Sequence, residues 1–275
     1  MIIQNISLLI PIYPPHYHFI YKFLNILQTN DIQMDVYLVF TNTSDYDSFE
    51  MKSHIKHIIM TNTFEKNANV KYIKDPIITH KKFFGLKQLS QSTYDYIICC
   101  DSEIDIIPKN FTSDNIEEKI QQIFNNKIIY AGDTQRELEI QITRGAAEVF
   151  PKNYEELKEI TNNFKLYFWW SDLPVYRRKD IDTFLNMIDH SKINAFEYIM
   201  YQYYLILFHD FKIINITPIT NVKGSLENLY TLDTHILNRL LDIKYGFSYI
   251  TKRYYNLNKK FLESQNAFLV YHLDR

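Results

Sequence analysis

The run Tyr94-Asp95-Tyr96-Ile97-Ile98-Cys99-Cys100 constrains the fold of this chain more than any other stretch. Nearly continuous apolar positions leave no face for water, so such a strand belongs in a sheet covered on both sides. It ends in Asp101-Ser102-Glu103, two carboxylates one residue apart. A buried strand seldom stops at such a pair unless something cationic sits there. In an extended backbone residues 101 and 103 point the same way, and oxygens grouped at a strand's carboxyl end suit Mg²⁺ or Mn²⁺. An ordinary solvated turn is the other reading of the same spacing.

The surrounding pattern alternates strand and helix. Ile6 to Ile12 reads as a first strand, halted by Pro14-Pro15 and followed by helical spacing through Phe19, Phe23, Leu24 and Leu27. Asp35 to Phe40 is a second strand ending in the polar turn from Thr41 to Asp45, and Asn69 to Ile73 a short third. His80 to Leu89 is a helix that leads into the strand at 96–100. Beyond Pro108 the expected elements are a helix over Ile116 to Phe124, a strand over Lys127 to Ala131 and a helix over Tyr154 to Phe164. They continue with an extended stretch from Leu166 to Trp170, helices over Asp180 to Ile188 and Ala195 to Phe208, and a strand over Lys212 to Ile216.

This order predicts an α/β protein with three α/β/α layers and a mixed, mainly parallel, Rossmann-like sheet. One domain over 1–275 is expected, with lobes at 1–110 and 111–275. Ligands of such sheets bind at the strands' carboxyl ends, where Tyr13, the 41–45 turn and Asp101/Glu103 all fall.

Composition excludes several classes. With 5 Gly in 275 residues, a P-loop or a dinucleotide fingerprint has no glycines to build it. A net charge of −2 gives no basic footprint for nucleic acid. Cys99 and Cys100 are the 2 cysteines; adjacent in a strand, they face opposite ways and form no ordinary bridge, which fits a reducing, cytoplasmic setting. The apolar opening from Ile2 to Tyr13 is short and lacks a basic flank, so neither a signal peptide nor a membrane span is expected.

Three lines, Ser7 to Tyr13, His80 to Leu89 and Tyr94 to Ile107, together resemble the GT-A glycosyltransferases of the D-x-D type. The resemblance covers the first 110 residues or so. It implies a sugar moved from a nucleotide-sugar donor, foremost a UDP-sugar, to a hydroxyl of a glycan or glycoprotein acceptor, with Mn²⁺ or Mg²⁺. Asp101 and Glu103 would hold the metal, Glu103 directly and Asp101 through water or while facing the ribose. Pro11, Tyr13, Lys81, Lys87, Asp101 and Ser102 would line the donor site, with Tyr13 on the base and Lys81 or Lys87 at the diphosphate. Lysines at helix surface positions are usually just solvated, and Tyr13 reads equally well as a surface tyrosine. His272 is similar to the late histidine that supplies a third ligand, and imidazole favours manganese; His235 is its rival.

An inverting transfer needs a base for the acceptor hydroxyl. Asp172 follows Trp169-Trp170-Ser171, whose rings suit sugar faces, though a turn-forming Asp after two core tryptophans gives the same pattern. Glu197 opens the aromatic helix, where the helix dipole favours an acid with or without a function. Asp172 ranks first. A phosphatase-like hydrolase would carry its D-x-D on the first strand, and a nucleotidyltransferase a Gly-rich loop where Pro14-Pro15-His16 stands. A catalytically inactive nucleotide- or sugar-binding relative is the non-enzyme alternative.

Overall fold

The computed structural model describes residues 2–60, 77–168, 173–221, 223, 249–252, 256, 259–260, 263, 267–271 and 273. β1 (Ile2–Pro11) leads through a 3-10 turn at Pro14–His16 into α1 (Tyr17–Thr29). Then come β2 (Gln33–Phe40), the short α2 (Thr43–Asp47), β3 (Lys56–Ile59), α3 (Ile77–Leu89), β4 (Tyr96–Cys99) and β5 (Ile104–Ile106). The chain continues with α4 (Ser113–Asn126), β6 (Ile128–Asp133), α5 (Glu137–Glu148), α6 (Tyr154–Ile160), β7 (Leu166–Phe168) and β8 (Val175–Arg177). The remaining described elements are α7 (Arg178–Met187), α8 (Glu197–His209), β9 (Lys212–Asn215), the single turn α9 (Thr217–Thr220), β10 (Tyr249–Thr251) and β11 (Leu269–Tyr271).

The central sheet has the order β3-β2-β1-β4-β8. β1 pairs in parallel with both β2 and β4, β2 pairs in parallel with β3, and only the edge strand β8 runs antiparallel, on β4. Leu8, Leu9 and Ile10 are each 0% exposed, so successive side chains on opposite faces of β1 are both buried. The expected three-layer α/β architecture is therefore the one observed. Two three-stranded sheets, β10-β11-β5 and β7-β6-β9, flank the central one. No helix among the described residues is long and apolar enough to cross a membrane.

Local chemistry explains the element ends. Thr112 caps α4, its side chain accepting from the Asn115 amide at 3.2 Å, and the helix closes on Lys127 in the left-handed region. α8 is buried nearly all round, through Ile199, Met200, Tyr201, Tyr203, Tyr204 and Leu205, which makes it a core helix. The helix expected to reach Phe164 stops at Ile160, because Asn162, Asn163 and Phe164 all take positive φ. The third strand also differs from expectation. β3 at Lys56–Ile59 is the neighbour of β2, and the stretch 69–73 lies outside the described residues. α5 and β8 are elements that the sequence pattern did not announce.

Gly85 fixes how closely α3 lies on the sheet. A Cβ there would sit 2.6 Å from Leu9 Cδ1 and 2.9 Å from Val39 Cγ2. Gly85→Ala is therefore expected to cost about 1–3 kcal/mol through overpacking, outweighing the helix propensity of about 1 kcal/mol that alanine adds. Denaturant unfolding checks it; a stabilised variant would mean that helix and sheet have room to spare.

Candidate functional site

The strand order places a topological switch between β1 and β4. From β1 the chain winds outward to β2 and β3, then returns across β1 to lay down β4 on its other side. At such a point the loops after the two strands diverge and leave a crevice beyond their carboxyl ends. Residues 12–16 and 100–103 border it. Their backbones are tied together just below, where the Cys100 amide donates to the Leu9 carbonyl at 2.9 Å.

β4 stops at Cys99, and residues 101–103 form a bend rather than a continued strand. The alternation expected to aim Asp101 and Glu103 the same way therefore does not run through them, and the two carboxylates take different partners. Asp101 meets Lys82 of α3, with Nζ to Oδ1 at 2.6 Å. The same ammonium lies 2.7 Å from Oε1 of Glu197, the first residue of α8. The Lys82 side chain is only 6% exposed and that of Glu197 4%, whereas Asp101 keeps 21%. Burial alone would lower the Lys82 ammonium, but the carboxylates of Asp101 and Glu197 outweigh it and hold it well above its ordinary value. Burial likewise pushes the Glu197 carboxyl up, against the pull of Lys82. Burial pushes the Cys99 thiol up too.

Glu103 belongs to a second group of side chains. Ser102 Oγ donates to Glu103 Oε2 at 3.3 Å, and His16 Nδ1 lies 2.6 Å from Ser102 Oγ and 3.4 Å from Glu103 Oε2. The Tyr13 hydroxyl lies 2.5 Å from His16 Nε2. A neutral His16 protonated on Nδ1 satisfies every member: Tyr13 donates to His16, His16 to Ser102, and Ser102 to Glu103. This chain joins the end of β1 to the acidic bend. The Tyr13 ring, at 4.1 Å from that of His16, keeps 37% of its surface exposed at the crevice.

The other residues singled out from the sequence separate clearly. Pro11 ends β1 beside Val39 of β2. Lys81 is buried and donates to the Ile12 carbonyl at 2.5 Å, so it braces the end of β1. Lys87 is not brought to the crevice. It sits at the far end of α3, which leads to the start of β4, and pairs on the surface with Asp182 at 2.7 Å. Trp169, Trp170, Asp172, His235 and His272 lie outside the described residues. The backbone on either side of 272 is described: Tyr271 pairs with Ile104, and the Leu273 amide donates to the Glu103 carbonyl at 3.3 Å. Lys82 and His16 were not foreseen. Lys82 stood in the quoted helix and His16 after the double proline, but nothing in their spacing marked them.

Among the described residues no group of three or more His, Cys, Asp or Glu is arranged to hold a metal ion. Two carboxylates on one bend nevertheless fit a hard cation that takes its remaining ligands from substrate phosphates and water, as Mg²⁺ commonly does.

No family model and no curated protein matches the chain. Among solved structures it is similar to "Crystal structure of S. aureus TarS 1-349", at 12% identity over 95% of this chain and 73% of that one, with a TM-score of 0.36.

Proposed function

We propose that the chain is a GT-A-type glycosyltransferase that moves a sugar from a nucleotide-sugar donor, foremost a UDP-sugar, to a hydroxyl of a glycan or glycoprotein. The observation that supports this is the coincidence of the β1/β4 switch with the acidic bend: the crevice that the topology opens is the one that Asp101 and Glu103 border. Tyr13 offers an exposed ring for the base at its rim.

The roles follow from these surroundings. Asp101 and Glu103 would hold Mn²⁺ or Mg²⁺ at the donor site. When bound, that cation stabilises the charge of the departing nucleoside diphosphate. The Tyr13–His16–Ser102 chain orients the Glu103 carboxylate, since a ligand whose other contacts are fixed loses less freedom on binding. Lys81 holds the strand end that carries Tyr13. If the transfer inverts, Asp172 serves as base for the acceptor hydroxyl ahead of Glu197, which is 3% exposed and already engaged by Lys82.

Thermal unfolding with a panel of nucleoside diphosphates and nucleotide sugars, with and without Mn²⁺, tests this directly. A ligand present at about 100 times its Kd adds about 2.7 kcal/mol to stability. A clear rise in Tm is expected for one base family, enlarged by Mn²⁺ and accompanied by slow hydrolysis of the matching sugar nucleotide. A flat response across the panel would remove the transferase assignment.

A further inference from the structure

The geometry points to Lys82 as a positioning residue that controls access to Asp101: its ammonium is shared between Asp101 and Glu197, and on donor binding it passes wholly to Glu197. This rests on the donor and cation site proposed above.

Three features carry it. The ammonium lies 2.6 Å from Asp101 and 2.7 Å from Glu197, and its side chain is 6% exposed, so it has no route to water and must stay between the two acids. Asp101 is the better solvated of the pair, at 21% against 4%. Glu197 has unused capacity: its Oε2 is buried with no hydrogen-bond partner among the described residues. A small swing of the lysine end, which has three donors on a rotatable stem, lets the ammonium take both oxygens of Glu197. That move satisfies the Glu197 oxygen and removes the Lys82 contact on Asp101 Oδ1. The hydroxyl of Tyr176, an electrostatic neighbour of Glu197, is also buried with no hydrogen-bond partner among the described residues.

The consequence is cooperative loading. A divalent cation alone must share Asp101 with the Lys82 ammonium and face its charge at close range, whereas a cation arriving with a diphosphate brings negative charge that offsets the repulsion. Lys82 thereby makes capture of the cation depend on the nucleotide. No bond is made or broken in this step; only the ammonium's partners change.

The test is Mn²⁺ titration by calorimetry, with and without UDP, on the parent chain, Lys82→Gln, Glu197→Gln and the double variant. UDP is expected to tighten Mn²⁺ binding to the parent by about tenfold or more. Lys82→Gln should bind Mn²⁺ alone about tenfold tighter and lose most of the gain from UDP, while Glu197→Gln should bind it about tenfold more weakly. The double variant, with the parent's net charge, should return near the parent's affinity. Opposite signs for the single variants are decisive, because residues with merely structural roles would both weaken binding. Two losses, or no change in either, would overturn the inference while leaving the donor site standing. A parent chain that binds neither Mn²⁺ nor UDP would end the inference and the proposed function together. Should Lys82→Gln fail to fold, Glu197→Gln keeps the Lys82–Asp101 pair and decides alone: unweakened Mn²⁺ binding there overturns the inference.

Discussion

Replacing Asp101 with alanine is expected to lower sugar transfer by about 10²- to 10³-fold, the usual cost of removing one preorganised electrostatic group from a reacting centre. The carboxylate stands at the end of β4, at the β1/β4 switch, and is the partly solvated member of its ion-paired trio. The substitution removes charge where the donor diphosphate and its cation would meet the protein. It leaves Lys82 still paired with Glu197 at 2.7 Å, so the chain should fold. The measurements are kcat/KM for transfer from the donor found by thermal unfolding, and Mn²⁺-dependent UDP binding. Asp101→Asn, which keeps the shape and loses the charge, should behave like the alanine variant. Either variant transferring at the parental rate would show that the acidic bend has no part in the reaction.

The second large effect concerns stability. Lys82→Met leaves Glu197 as a buried carboxylate without its cation, and breaking such a pair from one side costs about 3–5 kcal/mol. For a chain of this size that is a fall in Tm of roughly 5–9 °C. Converting Glu197 to leucine in the same chain should restore most of the loss, because replacing a whole buried pair by apolar groups is often neutral. Asp101 tolerates the double change through its exposure to solvent. Differential scanning calorimetry of the single and double variants checks both signs. A single variant as stable as the parent would mean that the lysine is not confined between these acids.

Part of this architecture is written in short-range pattern. β1, β2 and β4 were legible because strands buried on both faces use apolar residues almost without interruption, as Leu8-Leu9-Ile10 and Ile97-Ile98-Cys99 do. Edge strands carry no such mark. β3 is exposed or half-buried throughout, and β8 is three residues long. α5 stayed hidden because its inward face is Glu139, Ile142, Thr143, Gly145, Ala146 and Ala147, small or polar residues that make no apolar stripe. Gly145 is needed there, since a Cβ would lie 2.9 Å from the Asn194 carbonyl oxygen.

The site divides in the same way. Asp101, Ser102 and Glu103 could be singled out because carboxylates at the end of an apolar run are locally anomalous. Lys82 could not. A helix lysine reads as solvated, and its burial depends on a carboxylate 115 residues away that only the packing of α8 against α3 supplies. Glu197 was legible as a helix-opening acid, but its partner was not. Lys81 and Lys87, equal in the sequence, differ by position on one helix: one braces a strand end and the other meets water.

The pairing of β11 with β5 has a consequence for how the protein is made. Leu269, Val270 and Tyr271 lie antiparallel to Ile106, Asp105 and Ile104, and the Leu273 amide closes on the Glu103 carbonyl. The four parallel strands of the central sheet all lie before residue 100, so they can assemble early during vectorial synthesis. The acidic bend acquires its outer support only after residues 269–273 have cleared the ribosome. A chain that has emerged only as far as β4 thus holds these four strands but lacks the support that β11 gives the acidic bend.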